Sequence, residues 1–381
     1  MRLTSLMLAG LVLASAAAAG EVKLTIHNPM SGARTAERVT IPPALLRKGI
    51  KGDWVAVAAG QVSTVQFQKY GAVTVLDLPA KPEIAMLVRP RLSSDPKPRG
   101  VASAVIPAKI GGSYKHLPSI VVPPGHKIHD PLFPMEGAGW ESDRVGYRVY
   151  LDERNAADIF GKKLPAPVLG KIGQGGPDYH LEAAWGMDVW KVGQSLGAGG
   201  LGVLRGKMAE QIGPMKKMTA TVVADGPVVA ELQVDCDGWL YNGKPQLLTE
   251  NFSISAGSRL SMNAASASPG VPLVAGFGKY PNTTYLQARK GAWGYIATWG
   301  RQSEDGKDNV GVALFYKLDD VERTGDDGRS TYVLFKNPVR APYVFVAGWA
   351  RETGGLPTRA AFENYVERTA LNLANPVSVT K

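Results

Sequence analysis

A single cysteine, Cys236, occurs in the 381 residues. No disulfide can therefore form within the chain, and no cysteine stands at the leader junction to carry a lipid. No apolar run beyond the N-terminal leader reaches the roughly 18 residues that a membrane helix needs, which excludes an integral membrane segment of that kind. No internal repeat recurs at the usual solenoid or propeller periods. Acidic residues are outnumbered, 33 Asp and Glu against 43 Lys and Arg, giving a formal charge of +10. That sign favours acidic partners. With 45% hydrophobic and 20% charged residues, neither general disorder nor a collagen-like chain is compatible with the composition.

Arg2, the apolar stretch from Leu6 to Ala14 and the small residues Ala16 to Gly20 read as a secretory signal over 1–20, cleaved to leave one domain over 21–381. The expected location is the periplasm or the exterior. Nucleic acid is scarce there, so acidic glycans rank above it as partners.

Apolar and polar residues alternate in Val22–Ile26, Val62–Phe67, Val73–Leu78, Ile84–Val88, Met218–Val223, Val228–Val234, Leu247–Ser255, Val310–Tyr316 and Tyr332–Phe335. Period two is the mark of half-buried strands, and the Gly, Pro, Asp and Asn around these runs supply turns. Ala224-Asp225-Gly226-Pro227 and Gly325-Asp326-Asp327-Gly328 are hairpin candidates. One long helix is expected, capped by Thr358, with Phe362, Tyr365, Val366, Ala370 and Leu371 forming a stripe that docks on a sheet. The Pro- and Gly-rich stretch from Arg91 to Pro134 reads as long loops or a domain boundary. The fold class that follows is mainly β.

Gly197-Ala198-Gly199-Gly200-Leu201-Gly202 contains the dinucleotide-binding glycine spacing, but that fingerprint requires a strand before it and a helix after it in an alternating α/β chain. In a strand-rich exported protein it reads as a glycine turn letting two backbones approach, and no cofactor is expected. His126 and His129 with Asp130 resemble a metal cluster, yet the intervening prolines oppose a helix that would align the rings. They are read as loop histidines, with no metal assigned.

Seven of the eight tryptophans lie from Trp140 onward. Trp140 and Trp185 stand among Glu141, Asp143, Arg144, Tyr147, Arg148, Tyr179, His180, Asp188 and Lys191, the mixture of aromatic faces and charged groups that sugar sites use. Alternation over Asp143–Tyr150 puts Arg144, Arg148 and Tyr150 on one face and Val145, Tyr147 and Val149 on the other, which should be core. The arginine face is either solvated charge or a fork for a substrate carboxylate.

The runs Trp140-Glu141-Ser142-Asp143-Arg144-Val145-Gly146-Tyr147-Arg148, Tyr179-His180, Trp185-Gly186-Met187-Asp188-Val189-Trp190-Lys191-Val192-Gly193 and Gly197 to Gly202 together resemble an exported bacterial family catalogued as domain of unknown function 4861. The resemblance implies a large antiparallel β-sandwich, a supersandwich of the mutarotase and polysaccharide-lyase kind. It also implies a setting in polysaccharide degradation, with lyase or dehydratase chemistry on uronate-containing oligosaccharides. On that expectation Arg144 or Arg148 neutralises the substrate carboxylate and His180 or Tyr179 exchanges the proton. Trp140, Tyr147, Trp185, Asp188 and Lys191 bind the sugar, Asp188 also being able to orient the base. Two alternatives stand beside it: a non-catalytic glycan-binding protein, and a glycoside hydrolase drawing paired carboxylates from Glu141, Asp143, Glu182 and Asp188.

Overall fold

Each of the nine alternating runs forms a strand, for example Val22–His27, Gln61–Gln68, Lys217–Asp225 and Asn309–Lys317. The computed structural model describes residues 21–46, 52–97, 100–337 and 339–381. The leader expected over 1–20 lies outside the described residues. Strand makes up 54% of the described residues, against one α-helix among them, Arg359–Ala374. No helix among them is long and apolar enough to cross a membrane.

A nine-stranded sheet forms one layer of an antiparallel sandwich, running in space from Ser119–Val121 at one edge through Lys217–Asp225, Val229–Tyr241 and Lys244–Ser255 to Thr283–Lys290 at the other. Two five-stranded sheets face it. One holds Ser103–Val105, Gly137–Glu141, Val145–Tyr150, Ala157–Lys162 and Gly186–Asp188; the other is centred on Ala198–Arg205 and Leu273–Gly278. A bridge between Ala157 and Gly197 joins the two into a nearly continuous second layer. Between the layers lie Trp140, Tyr147, Val149, Phe252, Leu273, Phe345 and Trp349, all buried. The large β-sandwich expected from the sequence is the fold.

The helix begins where its cap predicts: Thr358 Oγ1 accepts from Ala361 N at 3.2 Å. Phe362, Val366 and Ala370 pack on the outer face of the nine-stranded sheet, where Phe362 stacks on Trp299. Burying a side chain the size of Phe362 or Val366 contributes roughly 1.5–3 kcal/mol. Residues 22–90 build a separate seven-stranded sheet, completed by Ser378–Thr380, around its own core of Ile26, Val39, Leu76 and Val88. Gln66 fastens it to the sandwich, donating to Val229 O and accepting from the N–H groups of Val228 and Val229. Within Arg91–Pro134 the loops carry four short strands, from Ser103–Val105 to Ser119–Val121.

The glycine run is neither a phosphate loop nor a turn. It is the start of strand Ala198–Arg205, with a bulge between Ala198 and Gly200. A Cβ on Gly199, whose φ is +83°, would lie 2.4 Å from the Phe345 ring, and one on Gly200 would lie 2.0 Å from Leu196 O. Close approach of backbone to its neighbours, the part of the expectation that holds, is what these glycines permit.

One carboxyl inside the sandwich has no cation beside it. Glu250 is buried and accepts from Asn155 Nδ2 at 2.9 Å and Asn263 Nδ2 at 2.8 Å. Burial pushes it up to about 7, against the two amide hydrogen bonds that lower it. A carboxyl whose folded pKa is raised binds its proton more tightly folded than unfolded, so its stabilising effect is complete below the unfolded value and is lost as pH rises through about 7. Glu250→Gln should remove that dependence: chemical unfolding at pH 5 and pH 8.5 is expected to show wild type losing stability on the order of 3 kcal/mol more than the variant. Parallel curves for the two proteins would show that Glu250 does not titrate in this range.

Candidate functional site

The face of strand Val145–Tyr150 opposite the valines carries Arg148 and Tyr150, as alternation predicts, but it does not meet solvent. Antiparallel register sets Asp158 of the next strand directly across from Arg148, and Asp188 one strand further, across from Phe160. Segment 163–185 then folds over this outer surface, placing Val168, Leu169, Ile172, Tyr179 and Trp185 against Phe160 and Met135. Glu141 pins the cover down. Its Oε1 accepts from Val168 N and Leu169 N, both at 2.8 Å, while Oε2 pairs with Lys162 Nζ at 2.6 Å. Burial pushes the Glu141 carboxyl up and the Lys162 ammonium down, and each partner's charge opposes the other's shift.

Beneath the cover the Arg148 guanidinium is completely buried and almost fully engaged. Nη1 donates to Met135 O at 2.9 Å and to the Tyr179 hydroxyl at 3.3 Å. Nη2 donates to the Tyr150 hydroxyl at 2.6 Å, to Asp188 Oδ2 at 2.9 Å and to Asp158 Oδ2. Tyr150 in turn donates to Asp158 at 2.7 Å. Only Nε has no partner among the described residues, so no fork is left to grip a substrate carboxylate; that part of the expectation for Arg148 is corrected. Two carboxylates sharing one guanidinium repel each other, and Asp188 is held well above the usual carboxylate range, first by burial and then by Asp158, with Arg148 opposing.

Tyr179 and His180 form the partly exposed lid of this network. Tyr179 rests on Phe160, and its carbonyl accepts from Asp188 N at 2.9 Å. Burial pushes its phenol up to about 12, with Arg148 pulling the other way, so it is a proton-bearing group at neutral pH. His180, with 43% of its side chain exposed, lies against Tyr179 with ring centroids 4.3 Å apart. Asp178 Oδ1 orients it by accepting from His180 N at 3.0 Å and meeting Nδ1 at 2.8 Å. Those two hydrogen bonds hold the Asp178 carboxyl below its ordinary value. Nδ1–H given to a carboxylate leaves Nε2 as the basic nitrogen, and Nε2 stands 3.9 Å from Asp188 Oδ2.

The structure therefore brings Arg148, Tyr179, His180 and Asp188 together, with Trp185 beside them through Phe160 at 6.3 Å. Lys191 is on the rim, exposed, 3.9 Å from Glu304. Arg144 is not with them: it sits at the hairpin turn before its strand, partly exposed, with Nε 3.5 Å from Asp143 and Nη1 beside Gly354. Trp140 and Tyr147 belong to the core rather than to a sugar surface. Trp140 stacks on Phe252 at 4.3 Å and donates to Ser261 Oγ at 2.8 Å, and the Tyr147 hydroxyl donates to Arg259 O at 2.7 Å. The hydrolase carboxylates do not face one another: Glu141 holds the cover, Asp143 accepts from Gly257 N at 2.6 Å, and Glu182 pairs with Lys163 and Arg351.

Asp158, Asp178 and Tyr150 are the partners that motif reading did not select. Asp158 carried one signal, being the lone acid in the otherwise strand-like Ala157–Lys162. Arg148→Met tests the network. Removing the cation leaves two buried carboxyls unpaired, so unfolding free energy is expected to drop by about 3–5 kcal/mol. Because those carboxyls must then hold protons to stay buried, the deficit should widen as pH rises. A variant as stable as wild type at pH 8 in urea titrations would mean that the pairing contributes nothing net.

The chain belongs to the family described as Domain of unknown function (DUF4861), which matches residues 26–379. No curated protein matches the sequence. Among solved structures it is similar to one described as an alpha-mannosidase from Enterococcus faecalis V583, at 9% identity and a TM-score of 0.46, over 94% of this chain and 46% of that one. It is also similar to a protein in the glycosyl hydrolase family 38 from Enterococcus faecalis, at 9% identity and a TM-score of 0.44, over 94% and 47%. The chain spans about half the length of these two structures.

Proposed function

We propose that this member of the DUF4861 family is an exported carbohydrate-active protein that acts on uronate-containing oligosaccharides by elimination or by removal or addition of water. The observation that carries the reading is the Tyr179–His180 pair: a neutral phenol and an imidazole oriented by Asp178, side by side and open to solvent, over the buried Arg148 cation. Proton abstraction next to a carboxylate needs a base at the carbon and positive or hydrogen-bonding groups at the carboxylate oxygens, where charge develops.

In this reading His180 Nε2 takes the proton from the carbon beside the carboxylate. Tyr179 donates its own hydrogen to a carboxylate oxygen while accepting from Arg148 Nη1, so the guanidinium acts through the phenol rather than by direct contact. Lys191, exposed on the rim, supplies charge toward the acidic substrate, and Trp185 supplies an aromatic face. Asp188 sits behind His180, where burial and Asp158 push its carboxyl above the usual range and so weaken the negative charge that would trap an imidazolium.

Incubation with a panel of uronate oligosaccharides distinguishes the chemistries by ultraviolet absorbance and product mass. Elimination during chain cleavage gives a new C=C bond with no net mass change, dehydration subtracts water, and hydration or hydrolysis adds it. His180→Ala is expected to lower kcat by about 10²–10⁴-fold, with binding and melting temperature little changed because the ring is partly exposed and belongs to no buried core cluster. Near-normal turnover in that folded variant removes His180 from the chemistry. Binding of uronates with no product under any condition would favour a glycan-binding protein instead.

A further inference from the structure

We infer that His129, paired with Glu136 beside the Arg148 network, is a second proton-transferring residue of the same site. The inference rests on the reading of an elimination site above. His129 is 81% exposed at its side chain, and its Nδ1 lies 2.7 Å from Glu136 Oε1. Glu136 reaches the Arg148 network through its other oxygen, with Oε2 3.8 Å from Arg148 Nη1, the same nitrogen that donates to Tyr179. Arg154 closes the circuit: Nη2 is 3.3 Å from Glu136 Oε1 and 2.5 Å from Asp152 Oδ2, and its guanidinium lies 3.6 Å over the Tyr150 ring. His129 and His180 are thus two exposed imidazoles whose neighbours, Glu136 and Tyr179, both meet Arg148 Nη1. Each has Nδ1 within 2.8 Å of a carboxylate oxygen, and Nε2 of His180 stands 3.9 Å from Asp188 Oδ2.

Backbone conformation supports a selected arrangement. His129 and Glu136 both adopt left-handed φ values, +64° and +60°, which non-glycine residues take at a cost and which cluster at functional sites. His126, the neighbour with which His129 would have shared a metal, turns the other way. Its ring packs on Phe133 at 5.1 Å, with Nδ1 3.6 Å from Asp130. The pair of histidines is therefore divided between a packed side chain and an exposed one.

Two imidazoles fit the two proton movements of an elimination. His180 Nε2 accepts the proton of the carbon next to the carboxylate, and the electron pair of that C–H bond becomes the new C=C bond. The neighbouring C–O bond breaks with its electrons on oxygen, and His129 Nε2–H delivers the proton that makes the departing sugar a neutral alcohol. The Glu136 carboxylate lies 2.7 Å from His129 Nδ1, on the side of the ring away from Nε2. Glu136 is a positioning residue; His129 is the group that touches the leaving oxygen. The charged groups around His129 are Glu136 from its own loop and, behind it, Arg154 and Asp152 from the turn after Val145–Tyr150 and Arg148 from that strand.

The test uses two variants that tolerate the left-handed backbone, His129→Asn and His129→Gly, assayed as full-length protein on whichever uronate oligosaccharide wild type converts. Both are expected to lose about 10²-fold or more in kcat with KM changed less than about threefold, and to lose the fall in rate at alkaline pH that a required protonated imidazole imposes. Added imidazole should restore part of the activity of His129→Gly. Glu136→Gln should lower kcat with KM little changed, as expected of a residue that positions His129. Wild-type kcat and pH profile in a folded His129→Asn would overturn the inference while leaving the function reading intact. If wild type converts no uronate, the function reading fails, and His129 is judged separately by imidazole NMR of wild type titrated with oligogalacturonate. Joint shifts of His129 and His180 would place both rings in one glycan site, and an unmoved His129 would exclude it.

Discussion

One buried guanidinium sets the layout of this face of the molecule. Arg148 lies where three strands and the covering segment meet, and it is bonded to Met135, Tyr150, Asp158, Tyr179 and Asp188. Removing an arginine from water is costly by several kcal/mol, and a single carboxylate in a dry site seldom returns it all. Here two carboxyls, two phenols and a carbonyl converge on one group, which engages both Nη donors but crowds the acids. The surplus negative charge is relieved when Asp188 keeps its proton, the direction in which burial and Asp158 push it. The network can then rest near neutrality without a second buried cation, and its geometry is fixed by register rather than by flexible loops.

That rigidity is what gives the exposed residues a definite place. Tyr179 and His180 come from a segment without regular structure, and such a segment needs other anchors. It has three: Glu141 holds its start, the Asp188 N–H holds the Tyr179 carbonyl, and Arg148 holds the Tyr179 hydroxyl. Aromatic packing against Phe160 and Trp185 excludes water from the underside. The outcome is an oriented imidazole on a loop whose mobility has been removed from below, a condition for positioning proton transfer to within a fraction of an ångström.

Much of the architecture was legible because a sandwich writes itself into alternation. The nine strand runs, the Thr358 cap and the division of residues 145–150 into a valine face and an arginine face all follow from side-chain periodicity. Periodicity, however, reports two faces and not what covers each. The polar face of Val145–Tyr150 meets segment 163–185 instead of solvent, which turned Arg148 from an expected substrate fork into a buried hub. Trp140 and Tyr147 misled for a related reason. Aromatic residues near charges look like a sugar platform in sequence, yet here the charges lie on one side of a strand pair and the rings on the other. Arg144 shares the parity of Arg148 but sits in the turn, where strand parity no longer fixes direction.

Asp158, Asp178 and Glu136 show the limit from the opposite side. Asp158 acts through cross-strand pairing with Arg148, a relation that depends on register and leaves no local pattern. Asp178 hydrogen-bonds a histidine two residues away and Glu136 lies 2.7 Å from one seven residues away, both in stretches lacking any repeat. Sequence reading favours adjacency, so it weighed His126 with His129 and Tyr179 with His180. The fold regroups these residues around Arg148, separates the first pair and keeps the second. What unites the two exposed imidazoles is neither spacing nor motif but neighbours that both touch one buried guanidinium, Glu136 for His129 and Tyr179 for His180, a relation that exists only after the sheet has formed and its outer face has been closed.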